Sequence, residues 1–500
     1  MTTQTKYMFK NYNHIGFNNP YYFEENGKFA IHKNFQDVLG SFNHHRSIDA
    51  VAVIELLNKN YMLADRTIIQ GIYKTPWHAK PNDQLNKWIY AKTPEHGKQE
   101  IPEEEIAQTL FNKICDEIEL YVGTKTKIGV LLSGGMDSRM VAGALDYLIK
   151  SGRLHNVKIT GLTWGNEGTR DVVYAKEISR RLNWKWKHYT VTTEDLLNNI
   201  KEAAKYGCEY SPVHLHAIPQ IRDDNSGMEV ILAGSYGDSV GRAEYSGKKV
   251  KYIKPLIQKI KNVGNFVPKA VYKESLKHIQ GDVNRYHQKF PKEEKYMQNE
   301  LDYQLHYMRR MLNPCMDLLT EKMEFYQVFT HPNVFGYMWS ISPEKRTDLV
   351  YKNMLGLFMT KLDDIPWART GLPFGKKEGI PDSYLKNHHT YPQQIQKLLF
   401  EKTQISEHLD RLKPLGVINV NAIKIWITLL KKYPTNNLIY LEKLLWIISL
   451  SDMCELYNIK SKSKKRYQTN ILLPILIPFE YFKDNLIHNT KLYIKRILGI

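Results

Sequence analysis

Cysteine is scarce in this 500-residue sequence, which contains only four. The four are scattered, with no CxxC pair and no histidine at metal-binding spacing: Cys115, Cys208, Cys315 and Cys454. Scattered cysteines argue against a structural zinc site and favour a reducing compartment. No stretch reaches the length of a transmembrane helix, and the first residues lack the apolar core of a signal peptide. The sequence therefore predicts a cytoplasmic protein.

Acidic residues are outnumbered, because 52 Asp and Glu against 70 Lys and Arg leave a net charge of +18. This excess suits an acidic substrate, RNA or an anionic membrane surface, and a solvated lysine-rich surface is the plainer alternative. No RGG-like segment, RNA-binding signature or zinc knuckle accompanies the charge, so we expect no nucleic-acid partner. Much of the excess lies late, in Ser461–Arg466 and Lys491–Ile497. Peripheral membrane contact by this basic tail is therefore an expectation to test.

The most informative stretch is KIGVLLSGGMDS, residues 127–138. A short apolar run, paired glycines and a helix-like segment predict a buried parallel strand, a tight turn and a helix. The turn amides and the helix N-terminus make an anion site, and the Ser133 and Ser138 hydroxyls add donors. Asp137 alone would repel phosphate, so its presence indicates a divalent cation that bridges to phosphate oxygens. An ordinary strand-to-helix connection with a helix cap is the plainer alternative.

Beyond this loop, strand-like apolar runs alternate with helical patterns. The strand-like runs are Val157–Trp164, Lys187–Thr192 and Met228–Asp238. This alternation predicts an α/β fold, a parallel sheet covered by helices on both faces, with a small amino-terminal α+β region and a helical carboxyl-terminal part. Ligands gather at the carboxyl ends of the strands in such sheets. We therefore expect the turns at residues 133–138, 163–168 and 233–238 to converge.

In the same order along the chain, these segments resemble those of the class B asparagine synthetase family, within the ATP pyrophosphatase superfamily. SGGMDS resembles the family's pyrophosphate loop, and VILAGSYGD (residues 230–238) resembles its second Gly-Asp turn. NYMLADRTIIQGI (residues 60–72) resembles the end of its amino-terminal glutaminase domain. The resemblance implies an adenine nucleotide alpha-hydrolase-like sheet.

Three parts follow from this resemblance. Residues 1–100 are predicted to be a truncated, degenerate glutaminase-like region without its nucleophile. Residues 101–433 are predicted to be the asparagine synthetase-like ATP-binding domain, and residues 434–500 a basic helical tail.

The resemblance implies an ATP-dependent carbon–nitrogen ligase of amino-acid biosynthesis, similar to asparagine synthase (glutamine-hydrolysing). Such an enzyme uses ATP and Mg²⁺ to activate a small carboxylate as an acyl-adenylate, releases pyrophosphate, and transfers the acyl group to ammonia or an amine. Carried over by position, Asp137 and Asp238 would ligate magnesium. The nucleotide would be bound by Leu131, Ser133, Gly134, Gly135, Asp137, Ser138, Trp164 and Gly234.

Several positions depart from the family pattern. Residue 2 is Thr where family glutaminases expose a cysteine, so we expect ammonia, an amine or a separate amidotransferase to supply nitrogen. Ser235 and Ser239 replace two glutamates of the second turn, one of which handles the nucleophile's proton in the family. The catalytic candidates are Arg369, which can balance charge but cannot act as a base, and Tyr236. Tyr236 would be a general acid/base or a wall of the pocket.

Two alternatives stay open. The positive charge suits an RNA-modifying ATP pyrophosphatase, although the sequence contains no recognisable RNA-binding module. The missing glutamates suit a nucleotide-binding pseudo-enzyme that has lost the transfer chemistry. Asp137 and Asp238, which cleavage of ATP would need to hold a metal, are both present, and this favours catalysis over binding alone.

Overall fold

The computed structural model describes residues 8–16, 19–82, 86–224, 226–258, 260–386, 390–460 and 472–497, with side chains described as far as residue 494 in the last range. The Thr2 side chain considered above and the basic segment Ser461–Arg466 lie outside the described residues. All statements below concern the described part of the chain.

The described chain folds into short strands and many helices. In chain order, the strands are β1 (Tyr21–Glu25), β2 (Lys28–His32), β3 (Tyr73–Lys74), β4 (Ala79–Asn82), β5 (Lys87–Tyr90), β6 (Lys127–Leu131), β7 (Lys158–Trp164), β8 (Lys185–Tyr189), β9 (Val230–Ala233), β10 (Glu244–Tyr245), β11 (Lys248–Lys249) and β12 (Glu324–Gln327). The helices are α1 (Phe35–Ser41), α2 (Ala50–Lys59), α3 (Glu103–Val122), α4 (Asp137–Lys150), α5 (Arg170–Arg181), α6 (Thr193–Lys205), α7 (Ile218–Arg222), α8 (Gly237–Gly241), α9 (Lys269–Lys289), α10 (Lys295–Asp302), α11 (Asn313–Asp317), α12 (Pro332–Ser340), α13 (Asp348–Leu355), α14 (Pro392–Lys397), α15 (Ile405–Leu412), α16 (Val420–Lys432), α17 (Leu438–Leu456) and α18 (Leu473–Ile497).

A five-stranded sheet in the order β12-β9-β6-β7-β8 forms the centre of the molecule. Every neighbouring pair of its strands is parallel, as the alternating sequence pattern predicts. The chain runs outward from β6 through β7 to β8 and then returns to the other side of β6 as β9. This reversal is a topological switch point, where open parallel sheets bind ligands beyond the carboxyl ends of the strands.

Local sequence signals explain the elements that surround the sheet. Helix α3 buries a stripe of residues at helical spacing, as predicted: Ile106, Leu110, Ile114 and Ile118. Helix α2 begins after Asp49, whose side chain accepts a hydrogen bond of 2.8 Å from the Val51 amide. Asp is a favoured residue before the first helical turn, so the sequence itself marks this helix start.

Three sequence-based expectations differ from the structure. The strand predicted from Lys187 begins two residues earlier, at Lys185, and ends at Tyr189. The sequence of residues 64–81 predicts a short strand pair, but within it only Arg66 and Tyr73 form an isolated antiparallel bridge among the described residues, while β3 pairs with β1 and β4 with β5. Strand β12 was not predicted, because the sequence from about Lys249 to Tyr433 predicts mainly helix.

The carboxyl-terminal part is helical, as predicted. Helix α17 packs along α6, so this part extends the layer of helices beside the sheet. Across the described residues, no helix combines the length and the apolarity that crossing a bilayer requires.

A buried histidine of the amino-terminal part predicts a loss of stability in acid. Both ring nitrogens of His78 are buried without a hydrogen-bond partner among the described residues. Burial, with Arg309 and Lys292 nearby, lowers the pKa of His78 to about 3. In the unfolded chain, His78 binds a proton near pH 6.5, whereas in the folded chain it binds one only near pH 3. The free energy of unfolding therefore decreases as the pH falls through this window.

We expect His78→Asn to reduce this acid loss by about 1.4 kcal/mol between pH 7.5 and pH 5.5. Asn tolerates the left-handed backbone at this position, where φ is 54°. Thermal unfolding at both pH values measures the effect. The exposed His44, changed to Asn, is the control, and an equal pH dependence in all three proteins would contradict the prediction.

Candidate functional site

The phosphate-loop candidate is the turn between β6 and α4. The Gly135 amide donates to Ser133 Oγ (3.1 Å), and the Ser133 amide donates to Ser138 Oγ (3.1 Å). The two hydroxyl oxygens lie 3.2 Å apart. Ser133 and Ser138 therefore pre-form the turn, and they bring two hydroxyls to the N-terminus of a 14-residue helix, where anions are favoured.

Glycine is required where this turn meets its neighbours. A Cβ on Gly134 would lie 2.9 Å from the Tyr174 ring and 3.0 Å from the Arg170 carbonyl oxygen, at the start of α5. A Cβ on Gly234 would lie 2.5 Å from the Asp137 carbonyl oxygen. The turn after β6 thus contacts both the turn after β9 and the helix that follows β7. The contact between the turns at residues 133–138 and 233–238 is as predicted, and the turn at residues 163–168 follows β7, the parallel neighbour of β6.

Two carboxylates meet at the switch point. Asp137 opens α4, and Asp238 lies in the first turn of α8, directly beyond β9. The Oδ1 atom of Asp137 is buried and has no hydrogen-bond partner among the described residues. Burial and the neighbouring Asp238 raise the pKa of Asp137 well above its ordinary value.

This pair suits a divalent cation, which would relieve the repulsion between the two carboxylates. In the described part of the chain, no three metal-binding side chains converge. Magnesium commonly takes one or two carboxylates from the protein and completes its shell with phosphate oxygens and water. The predicted ligands Asp137 and Asp238 therefore fit Mg²⁺ held together with a phosphate group.

Cations surround Asp238. Arg242, buried on the same helix turn, forms ion pairs with Asp238 and with Asp348, the latter at 2.8 Å. Arg369 forms an ion pair with Asp238 (3.2 Å) and a second one with Glu244. Arg369 thus lies at the predicted centre, whereas Arg242 was missed by the sequence reasoning. An arginine four residues after an aspartate on one helix turn is a readable signal for such a pair.

A hairpin at residues 366–373 covers the phosphate loop. The Ala368 amide donates to the Gly134 carbonyl oxygen (3.1 Å), and the Arg369 guanidinium stacks over the Trp367 ring at 4.4 Å. Arg139, which follows the SGGMDS motif, is buried and donates to the carbonyl oxygens of Leu362, Ile365 and Pro366. Arg139 therefore ties the hairpin to α4, and it was also missed.

The predicted adenine-side residues lie at the ends of the central strands. Leu131 is the last residue of β6 and Trp164 the last residue of β7. The Trp164 ring stacks on His216 with centroids 5.9 Å apart. His216 itself caps a short 3₁₀ turn, with φ of 47°. A flat indole at this edge can pack against a purine ring.

The Tyr236 side chain points toward the amino-terminal part of the chain. Its side chain is fully buried, and its hydroxyl would lie 2.5 Å from a Cβ on Gly16, in the amino-terminal part. Burial raises the pKa of Tyr236, which disfavours proton transfer near neutral pH. This geometry supports packing between the two parts of the chain and gives no support to an acid–base role.

A basic cavity of about 1190 Å³ opens beside Arg369. Its lining contains one carboxylate, Asp348, and seven cationic side chains: Arg170, Lys249, Lys352, Arg369, Lys376, Lys377 and Lys386. Three of them, Lys352, Lys376 and Lys377, form no ion pair with any described residue. Unpaired cations in a concave site attract anionic ligands.

Gly234→Ala tests the close approach of the two turns. We expect a loss of about 1–3 kcal/mol in the free energy of unfolding, because the new methyl group meets the backbone at Asp137. Gly281→Ala is the control, since Gly281 lies within α9 with no neighbouring atom within 4 Å. This control should gain about 0.5–1 kcal/mol. Equal effects of the two substitutions in chemical denaturation would contradict the prediction.

Comparison with known proteins adds to this geometry. Residues 121–348 match the asparagine synthase family model, over less than half of the chain. These residues are therefore similar to the asparagine synthase family. The match contains both predicted metal ligands and ends before Arg369.

Individual relatives are distant. Amidase chry2 of Gibberella zeae is 27% identical over 107 residues, and the match covers 20% of this chain and only 16% of the amidase. The U34-tRNA thiolase NcsA from Methanococcus maripaludis, with its 4Fe-4S cluster, is 13% identical, with 77% of this chain and 96% of the thiolase covered at a TM-score of 0.25. NMN synthetase from Francisella tularensis is 16% identical, with 50% and 97% covered at a TM-score of 0.20. TM-scores this low carry no functional inference.

Proposed function

We propose that this protein is an ATP-dependent carbon–nitrogen ligase similar to asparagine synthase. The observation that supports it most is the Asp137–Asp238 pair beside a serine- and glycine-rich turn, within residues that match the asparagine synthase family. The proposal includes the division into residues 1–100, 101–433 and 434–500, with the first part a glutaminase-like remnant. We also propose that the protein works in the cytoplasm.

The proposed reaction has two steps. An oxygen of the substrate carboxylate attacks the α-phosphorus of ATP, the bond between the α- and β-phosphates breaks, and pyrophosphate leaves with the electron pair. The nitrogen of ammonia or an amine then attacks the acyl carbon of the acyl-adenylate. AMP leaves with the electron pair of the acyl–oxygen bond, and the nitrogen loses one proton as the amide forms.

The chain's own residues would contribute mainly electrostatic stabilisation. The Ser133 and Ser138 hydroxyls and the α4 N-terminus suit the β- and γ-phosphates, and Leu131, Trp164 and Gly234 suit the adenosine. Asp137 and Asp238 would hold Mg²⁺, which neutralises charge on the leaving pyrophosphate. Arg369, at 3.2 Å from Asp238, would stabilise negative charge near the α-phosphate without taking a proton.

The basic cavity beside Arg369 supports an anionic acyl substrate. Its unpaired lysines offer charge beyond what one carboxylate needs, so we propose a substrate with further anionic groups. Three lysines without an ion pair to any described residue are hard to reconcile with a neutral or cationic substrate.

Nitrogen would come from ammonia, an amine or a separate amidotransferase. Cys115 is buried in α3, and burial raises the pKa of its thiol to about 12, so it is unsuited to glutamine hydrolysis. The purified chain should therefore show no glutaminase activity. Glutamine hydrolysis that Thr2→Ala abolishes would overturn this part of the proposal.

A nucleotide-binding pseudo-enzyme is the second candidate. Two observations favour it. Asp238 already forms ion pairs with Arg242 and Arg369. The Ser239 hydroxyl, at a position where the family has a glutamate, donates to the Tyr236 carbonyl oxygen at 3.1 Å. Such a protein would bind ATP without cleaving it.

Isotope exchange between pyrophosphate and ATP separates these functions. We expect exchange that requires Mg²⁺ and a small anionic carboxylate, found by screening amino acids, sugar acids and phosphorylated acids. ATP binding with no exchange across the panel would favour the pseudo-enzyme. Exchange stimulated by folded tRNA, and by no small carboxylate, would instead identify an RNA-modifying ATP pyrophosphatase.

A further inference from the structure

The carboxyl-terminal helix α18 is apolar on two opposite faces. One face is buried against the rest of the protein through Leu473, Ile477 and Tyr481, which are at most 2% exposed. The other face carries a stripe of apolar residues that are 51–69% exposed: Ile475, Phe479, Phe482, Leu486 and Tyr493. Steps of four, three, four and seven residues put these side chains on one side of an α-helix. The stripe, defined by these five residues, is open to solvent.

The helix is held in place by its buried face. Tyr481 packs against Trp426 of α16, with ring centroids 5.8 Å apart, and its hydroxyl donates to the Tyr433 carbonyl oxygen. The Thr435 hydroxyl donates to Asn485 at 2.7 Å. These contacts fix the orientation of α18, so exposure of the stripe follows from the packing of the opposite face.

Acidic side chains of α18 are turned away from the stripe. The helix sequence contains two acids, Glu480 and Asp484. The Tyr440 hydroxyl, on α17, lies 2.9 Å from the Glu480 carboxylate and 2.6 Å from that of Asp484. Both acids therefore point into the protein, and neither lies on the exposed face of the helix.

Basic side chains flank the stripe. Lys483 is exposed on α18 itself, directly after Phe482 of the stripe. Phe482 contacts the ring of Tyr433 at 5.4 Å, directly after the exposed pair Lys431 and Lys432 at the end of α16. The outward surface of α18 thus combines bulky apolar groups with positive charge, which complements an anionic surface.

We propose that this face of α18 binds the surface of a membrane that contains anionic lipids. The stripe spans residues 475–493, or about 27 Å of helix, which suits a helix lying in the plane of the membrane interface. Apolar side chains enter the boundary between headgroups and acyl chains, while lysines contact lipid phosphates. If acidic side chains flanked the stripe, a second copy of this chain or another protein would be the better binding partner.

Flotation of the full-length protein with lipid vesicles tests the proposal. We expect binding to vesicles of phosphatidylcholine and phosphatidylglycerol in a ratio of about three to one, and weak binding to phosphatidylcholine alone. The double variant Phe479→Gln/Leu486→Gln should bind about 10-fold or more weakly, since each residue loses apolar contact with lipid. Gln keeps the helix, which circular dichroism checks.

Two further variants sharpen the test. The matched control Leu120→Gln/Tyr252→Gln removes apolar residues that are 76% and 80% exposed elsewhere, and it should bind like the wild type. Lys432→Gln/Lys483→Gln should weaken binding only where phosphatidylglycerol is present. Absence of vesicle binding, or equal binding by wild type and Phe479→Gln/Leu486→Gln, would overturn the proposal. If light scattering shows dimers that Phe479→Gln/Leu486→Gln dissociates, and the protein does not bind vesicles, then a second copy covers the stripe.

Discussion

Asp137→Asn is expected to lower the rate of AMP formation by about 10²–10³-fold, as when one key electrostatic group is deleted from an active site. The substitution keeps the shape of the side chain and removes its charge, so Mg²⁺ and the phosphates lose one ligand. The folded protein should not become less stable without nucleotide. The reason is that a buried carboxylate without a hydrogen-bond partner, beside a second carboxylate, is itself unfavourable.

Opposite effects on activity and stability make this prediction specific. AMP release is measured with ATP and Mg²⁺, and thermal unfolding is measured without them. Asp116→Asn is the control, because Asp116 lies on α3 with its side chain 67% exposed, away from the turn. Full activity of Asp137→Asn would show that Asp137 is only a helix-capping residue of the turn.

Arg369→Gln is expected to reduce the turnover rate by about 10²-fold or more, with a smaller effect on ATP affinity. Its guanidinium is the cation that both contacts Asp238 and lines the basic cavity, so it joins the two candidate subsites. Its side chain is 35% exposed, and the loss of its ion pairs should therefore change stability little.

A matched surface arginine controls for general charge effects. Arg181→Gln removes a cation that is 26% exposed and pairs with Glu177 and Asp364. Steady-state kinetics on both variants should show a loss only for Arg369→Gln. Equal activities would identify Arg369 as an ordinary ion-pair residue of the hairpin at residues 366–373.

Local signals in the sequence were sufficient for the central strand, the turn and α4. The apolar run, the paired glycines and the helical stripe are all contained within about 25 consecutive residues, so no distant contact is needed to recognise them. Strand β12 is different. It has four residues, lies far along the chain from its partner β9, and forms because the edge of an existing sheet accepts it.

The candidate site shows the same division between local and distant causes. Asp137 and Asp238 were assigned together by the family resemblance, and their turns were expected to meet because each follows a strand that ends at the same edge of the sheet. The direction of Tyr236 was not predictable, since it depends on packing against Gly16 in another part of the chain. The roles of Arg139 and Arg242 depend on partners more than 100 residues away in sequence, at Leu362 and Asp348.

Transfer of oxygen from substrate to AMP tests the central claim most directly. A carboxylate substrate labelled with ¹⁸O in both oxygens is incubated with the protein, ATP, Mg²⁺ and ammonia or an amine. Because the carboxylate attacks the α-phosphorus in the proposed reaction, mass spectrometry should find one ¹⁸O atom in each AMP and one in each amide. AMP that carries oxygen from the solvent, or ADP as the nucleotide product, would contradict the ligase proposal.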